Sequence, residues 1–185
     1  MDPTLATLSL QTERLRLDLV SDDDLDEIFH LYSNPEAVKY FGQDRMENIE
    51  QARFWLSIQA HMRDIGLGRS WVMRDAGSGV MIGTIGFDGI NRQWHNAGIS
   101  YVLHPDYWNF GLATEAVAAL SRMAFSGGLN GPMHRIQALV FSENQASKRV
   151  LEKLGFIHEG RRLGLVFWKQ RYWDLDSYCL LNQSC

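Results

Sequence analysis

Along residues 12–20 apolar and polar positions alternate, with Leu15, Leu17 and Leu19 on one side and Arg14, Arg16 and Asp18 on the other. This is the period of a half-buried strand. Ser21 followed three positions later by Asp24 opens a helix whose apolar face is Leu25, Ile28, Phe29 and Tyr32. Asn34-Pro35 restarts a short helix that Gly42 ends, and Ile49, Ala52, Leu56 and Ala60 mark another amphipathic helix. Beyond Gly66 and Gly68 the period becomes that of strands. Residues 70–74 and 80–87 flank a turn at 75–79 as a β-hairpin, and a third strand covers 97–103. Helical spacing returns over Leu112–Phe125 through Ala113, Ala116, Val117, Leu120 and Ala124, and stops at Gly127-Gly128. A short apolar strand at 134–141 leads to a helix over 145–154, where Gly155 suits a left-handed cap and Phe156 packs back on Leu151 or Val150. Two strands, Ile157–Trp168 and Arg171–Leu181, follow.

The order strand, two helices, three strands, helix, strand, helix, two strands predicts an α/β fold (α+β in some schemes). It has one mixed, mostly antiparallel sheet of about seven strands with helices on both faces. The strand-helix-strand crossover over residues 97–141 is expected to be parallel and right-handed. With 185 residues and no repeat, low-complexity tract or linker, the chain reads as a single domain, 1–185.

Composition narrows the function. The chain is 45% hydrophobic and 22% charged, ordinary for a globular protein. A net charge of −4 argues against a surface made for phosphate backbones, so no nucleic-acid partner is expected. No segment is apolar enough to span a membrane, and Met1 to Leu10 carries Asp2 and Pro3 where a secretion signal would be basic. A cytoplasmic address without membrane attachment is the expectation. Cys179 and Cys185 have no metal or redox spacing and read as reduced thiols, although a bridge between them stays open. The six histidines lack paired ligand spacing, so no metal is expected, and His30, His61, His104 and His134 read as solvated or hydrogen-bonded.

Chemistry concentrates between Leu103 and Ala116, where a strand end, a turn with Gly111 and a helix start follow one another. A helix beginning there directs free N–H groups and its positive end out of the turn, a place for a phosphate. Gly111 and Ala113 leave room for close approach to the main chain. No Lys-Ser/Thr pair follows, which excludes a nucleoside-triphosphate loop, and one glycine makes no dinucleotide fingerprint. Alone, the segment reads more readily as a plain strand-to-helix turn.

Its surroundings carry more. Tyr107-Trp108-Asn109-Phe110-Gly111-Leu112-Ala113-Thr114-Glu115-Ala116, then Asn144-Gln-Ala-Ser147 and Leu154-Gly155-Phe156, resemble the GNAT superfamily of N-acetyltransferases. Thr12-Glu-Arg-Leu-Arg-Leu17 and Ile82-Gly83-Thr-Ile-Gly86 resemble its RimJ/RimL-like branch, which acetylates ribosomal-protein N-termini. The likeness runs from about Thr12 to Leu181. It implies acetyl-CoA as co-substrate, with Trp108, Asn109, Phe110, Gly111, Leu112, Ala113 and Thr114 around its pyrophosphate. It also implies that the strand with Tyr101, Val102 and Leu103 splays from its parallel neighbour to admit the pantetheine arm. Asn144 would hold that arm, and Ser147 would protonate the departing thiolate. Trp108 and Asn109 stand where the pattern has a basic or glutamine residue and a glycine, so the phosphates lose side-chain help there.

The acceptor is an amine that must be neutral to attack. Relatives place a glutamate on the splayed strand for this, and the matching position here is Gly98. An α-amine of pKa about 7.7–8 is roughly a tenth neutral at pH 7, whereas a lysine near 10.4 is under roughly a thousandth neutral. A missing strong base therefore favours a peptide or protein N-terminus, with water, His95, Glu143 or His158 taking the proton. A small amine such as an amino acid, a polyamine or an antibiotic is the alternative acceptor, and a non-catalytic acyl-CoA-binding module is the alternative function; monomer and homodimer both stay open. Ser147 is either a catalytic donor or a helix-start residue beside a cap at Ser142 or Asn144. Trp55 and Trp71 read as packing; Trp94, Trp168 and Trp173 are candidates to line an acceptor site. Asp174 and Asp176, on one strand face with Tyr172 and Tyr178, read as a wet face or an attraction for a cation.

Overall fold

The computed structural model describes residues 9–183; Cys185 lies outside them. Among the described residues the chain runs β1 (Leu10–Gln11), β2 (Leu15–Leu19), α1 (Leu25–Ser33), α2 (Ile49–Asp64), β3 (Arg69–Asp75), β4 (Met81–Asn91), β5 (Asn96–Leu103), α3 (Leu112–Phe125), β6 (Arg135–Phe141), α4 (Gln145–Lys153), β7 (Ile157–Trp168) and β8 (Arg171–Leu181). The strands form one sheet in the order β1-β2-β3-β4-β5-β6-β8-β7, antiparallel except for β5 and β6. Two expectations need correction. The first strand breaks at Thr12, whose amide and hydroxyl both bond the Leu15 carbonyl, folding Leu10 back onto Leu17; this makes an eighth strand. The short helix after Asn34-Pro35 is a chain of turns instead. Asn34 Oδ1 takes the Glu36 and Ala37 amides, and the backbone bonds mix three- and four-residue steps. Such mixed bonding never settles into a continuous ladder.

Alternation along the strands feeds two cores. Trp71 and Met73 of β3, with Ala97, Ile99 and Leu103 of β5, pack with Ala116, Val117 and Leu120 of α3 and Leu151 of α4. Val72 and Val102 face the other way, onto Ile28 and Leu31 of α1 and Leu56 of α2. Helices thus cover both faces, each apolar side chain contributing about 1.5–3 kcal/mol by its burial.

An interruption of the sheet positions the site. β5 pairs with β6 only through Asn96 with Arg135, Ala97 with Ile136 and Gly98 with Gln137. Farther along, β5 stays with β4 as far as Leu103 opposite Gly83, while β6 stays with β8 as far as Phe141 opposite Leu175. Each strand follows its outer neighbour, and a wedge opens between them.

α4, which flanks this wedge, is anchored to the sheet by charge. Asp176 of β8, 2% exposed, receives Lys148 Nζ of α4 at 2.5 Å and Arg161 Nε of β7 at 2.9 Å, with His158 Nε2 at 3.6 Å. The Arg161 hydrogen bond, against the opposing effect of burial, and Lys148 hold its carboxyl well below the usual carboxylate range. A depressed folded pKa means that the stabilisation is complete above the ordinary Asp pKa and fades as pH falls below it. Asp176→Ala leaves Lys148 buried without a countercharge and is expected to cost about 3–5 kcal/mol in urea unfolding at pH 7. The difference from wild type should narrow on acidification below about pH 4; a loss under about 1 kcal/mol would show that the cluster is not an anchor.

Candidate active site

The connection from β5 into α3 is held in one shape by its own groups. Pro105 opens a single tight turn through Tyr107, and the Trp108 indole N–H donates back to the Leu103 carbonyl at 2.8 Å. Asn109 and Gly111 then adopt left-handed backbone angles, with φ of 66° and 79°. Asparagine in place of a glycine is thereby accounted for, because it is among the few residues with a side chain that accept this region readily. Gly111 is the N-cap of α3, and the first bond inside the helix runs from the Glu115 amide to the Gly111 carbonyl. The amides of Leu112, Ala113 and Thr114 consequently have no acceptor within the helix and sit at its positive end.

A brace that the sequence did not announce holds this turn. Arg14 reaches across from the β1–β2 connection; its guanidinium donates to the Phe110 carbonyl at 2.8 Å and to Glu115 at 2.7 Å. Glu115 also accepts from the Arg14 amide and the Thr12 hydroxyl. Burial works to raise the Glu115 carboxyl, but these hydrogen bonds and the Arg14 charge overcome it and hold the group below the usual range. Arg14 stays half exposed, about 3.7 Å from where a side chain on Gly111 would begin. The turn therefore has a cation beside it after all. The signal was present as Arg14 on the polar face of the first strand, but its meeting with Glu115 spans 101 positions.

All the residues that the resemblance assigns to the cofactor or to thiolate protonation, except Phe110, border one cavity of about 340 Å³ that runs from the turn into the wedge. Phe110 is 64% exposed and contributes its carbonyl to Arg14. Lys39, Tyr40, Arg149 and Lys153, none of them anticipated, also form part of the wall. Asn144 Oδ1 accepts the Ser147 amide at 3.1 Å, so Asn144 is the cap of α4, while Ser142 has a buried hydroxyl without a partner. Ser147 borders the cavity from the first helical turn. Facing it, the Tyr101 hydroxyl is buried with no well-formed hydrogen bond. Burial pushes that phenol up to about 12, with the adjoining Ser147 hydroxyl opposing the shift.

The other candidates go elsewhere. His95 bonds the Pro132 carbonyl at the closed end of the β5–β6 pair, Glu143 pairs with Arg171 at the surface, and the His158 ring packs at a tilt against Tyr178 beside Asp176. None of the three borders the cavity. Trp71 is fully buried and Trp55 packs on Tyr32, as expected. Trp168 and Trp173 pack with Phe141 in a satellite core, and Lys169 and Arg171 lie over their ring faces, while Trp94 is 71% exposed on the β4–β5 turn. Asp176 and Tyr178, read as a wet face, are buried, because Lys148 and Arg161 supply the charge that permits it.

Comparison with known proteins meets this geometry. The acetyltransferase (GNAT) domain model matches residues 14–157. The chain is 34% identical over 174 residues to the N-acetyltransferase YoaA of Bacillus subtilis (strain 168), covering 94% of this chain and 96% of YoaA. In fold it is similar to spermidine N-acetyltransferase from Vibrio cholerae, solved with CoA and spermine (TM-score 0.80, 23% identity, 92% and 96% covered). It is similar likewise to the Salmonella typhimurium acetyltransferase that modifies the N-terminal serine of ribosomal protein L7/L12 (TM-score 0.83, 18% identity, 93% and 97% covered). At these identities the two structures speak for the fold and leave the acceptor open. The family model and YoaA together show that the chain belongs to the GNAT acetyltransferases and is an acyl-CoA-dependent N-acetyltransferase.

Proposed function

We propose that the chain transfers the acetyl group of acetyl-CoA to the α-amine at a protein or peptide N-terminus. One observation carries the reading: a single cavity joins two features suited to different parts of a CoA thioester. The free amides of Leu112, Ala113 and Thr114, at a helix N-terminus with Arg14 beside it, suit the diphosphate. The edge of β5 released from β6, with the buried Tyr101 hydroxyl that lacks a well-formed hydrogen bond, suits the amides and carbonyls of the pantetheine arm. A buried polar group without a partner costs about 1–3 kcal/mol, a cost that a ligand acceptor removes.

Acetyl-CoA supplies the activated acyl carbon. The protein contributes placement: a main-chain N–H on the free β5 edge stabilises the developing oxyanion, and Asn144 fixes the turn from which Ser147 offers a proton to the leaving thiolate. The charge on the wall separates the acceptors. Lys39, Arg149 and Lys153 outnumber Glu36 there, which opposes a polycation in this cavity and suits the phosphates of the cofactor.

A thiol-release assay over N-terminal peptides, free amino acids and polyamines tests the reading, with peptides expected to be the best acceptors. Turnover of polyamines alone would replace it by small-amine acetylation, and thermal stabilisation by acetyl-CoA without release on any amine would leave a binding module. Ser147→Ala keeps the backbone N–H that Asn144 caps, so it should fold normally and lower kcat at saturating acetyl-CoA by about tenfold or more; unchanged kcat would remove Ser147 from the mechanism. Tyr101→Phe should leave apo stability equal or up to about 1 kcal/mol higher, since it deletes an unsatisfied buried hydroxyl. The same substitution should shrink the thermal shift that acetyl-CoA produces, and an undiminished shift would show that the hydroxyl does not meet the cofactor.

A further inference from the structure

Neutralising the acceptor requires a proton acceptor near the narrow end of the wedge, and His95, Glu143 and His158 all lie elsewhere. The last paired residue before the strands part is Gly98, opposite Gln137. On its other side Gly98 pairs with Asp88 of β4. Paired residues on antiparallel strands share a face. A Cβ built on Gly98 would collide with Asp88 Oδ1, so the carboxylate fills the space that a side chain at 98 would occupy.

Three further observations single out Asp88. The β4–β5 register slips between Asp88 and Asn91, a bulge of the kind that re-aims a side chain, with Gly89 in the left-handed region. The face is the appropriate one. Tyr101, Ile99 and Leu103 point to α3 and α4, where the turn and Ser147 lie, whereas Val102 points to α1 and α2. Alternation puts Ser100 and Gly98 on the Val102 side, and Asp88 with them. The cavity itself has walls from both sides, Tyr40 following α1 and Ser147 on α4, so the wedge passes through the sheet; Asp88 is not part of that wall and meets the narrow end of the wedge through the space beside Gly98. Finally, Asp88 is solvent-accessible and free of any ion pair among the described residues. Although the residue as a whole is exposed, its carboxyl lies against Gly98, and this local loss of hydration raises it from the ordinary value, against the Ser100 hydroxyl.

Resting on acetyl transfer at this site, we propose that Asp88 is the catalytic base, reaching the acceptor amine from the face of the sheet opposite to the one that holds the cofactor. The Asp88 carboxylate takes one proton from the ammonium. The freed nitrogen lone pair forms the C–N bond to the thioester carbonyl carbon, the C–S bond breaks, and the thiolate leaves to be protonated from Ser147 or water; the nitrogen sheds its second proton as the amide forms, and that proton restores the Ser147 hydroxyl or water. Asp88 then returns its proton to solvent, so the sum is amide, free thiol and one proton.

The test is Asp88→Asn, nearly isosteric, assayed by thiol release with the best acceptor found for wild type. Binding of acetyl-CoA should be unchanged by calorimetry, and kcat/KM for the amine should fall about 100-fold or more at pH 7. The loss should shrink as pH approaches the pKa of the amine, because an acceptor already neutral in solution needs no base. Activity of the variant within threefold of wild type at pH 7, or a deficit constant from pH 6 to about 9.5, would overturn the proposal. Should Asp88→Asn lose acetyl-CoA binding, Asp88→Ser carries the same expectations. A wild-type protein that binds acetyl-CoA but releases no thiol with any amine would instead defeat the transfer reading itself.

Discussion

Parallel pairing between β5 and β6 lasts three residues and then stops, and the site depends on that stop. A parallel pair inside a sheet ordinarily continues, since each unmade backbone bond in a buried place is costly. Here the outer neighbours decide. β4 keeps β5 through Leu103 and β8 keeps β6 through Phe141, so closing the gap would tear one of two long antiparallel ladders. The wedge is the compromise between two well-paired half-sheets, and the backbone groups it frees are the ones that can recognise an extended amide-bearing ligand.

An opening of this kind is useful only if its two ends are fixed. At the wide end, Arg14 and Thr12 converge on Glu115 while Arg14 also holds the Phe110 carbonyl, tying the first strands to the start of α3. The carboxylate in that first turn favours the helix dipole, and the cation that neutralises it stays partly exposed beside the free amides. On the flank, α4 is tied through Lys148 to Asp176 and Arg161, so Asn144 and Ser147 are carried by an element fixed by charge as well as by Leu151 in the core.

Legibility followed the distance over which each feature is encoded. The α3 helix, the Gly155 cap and the last two strands were readable because periodicity and caps act within a few residues. Asn34-Pro35 misled because Asn34 satisfies the next amides with its own side chain, a competition that periodicity does not register. The turn from Trp108 to Gly111 was legible as a motif, but its brace was not, since Arg14 and Glu115 are unremarkable surface charges until the fold joins them. Asp176 was misread for the same reason: an acid alternating with tyrosines looks solvent-facing unless Lys148 and Arg161 are known to surround it.

Gly98 shows how far a single strand can be interpreted without its neighbour. In sequence it is a missing carboxylate, which turns attention to weakly basic amines and to water. In the sheet, an absent side chain is also a vacancy into which the facing strand can project, and Asp88 does so from a bulge. The two statements have different chemical consequences: an empty position leaves the amine to ionise in solution, whereas a carboxylate with reduced hydration can take the proton where attack occurs. A modest base still selects its acceptors, because extracting a proton from a lysine-like amine near pKa 10.4 costs roughly two to three powers of ten more than from an α-amine near 7.7–8. The preference for an α-amine is therefore compatible with a carboxylate base at Asp88, which would serve an acceptor approaching from the Val102 face of the sheet.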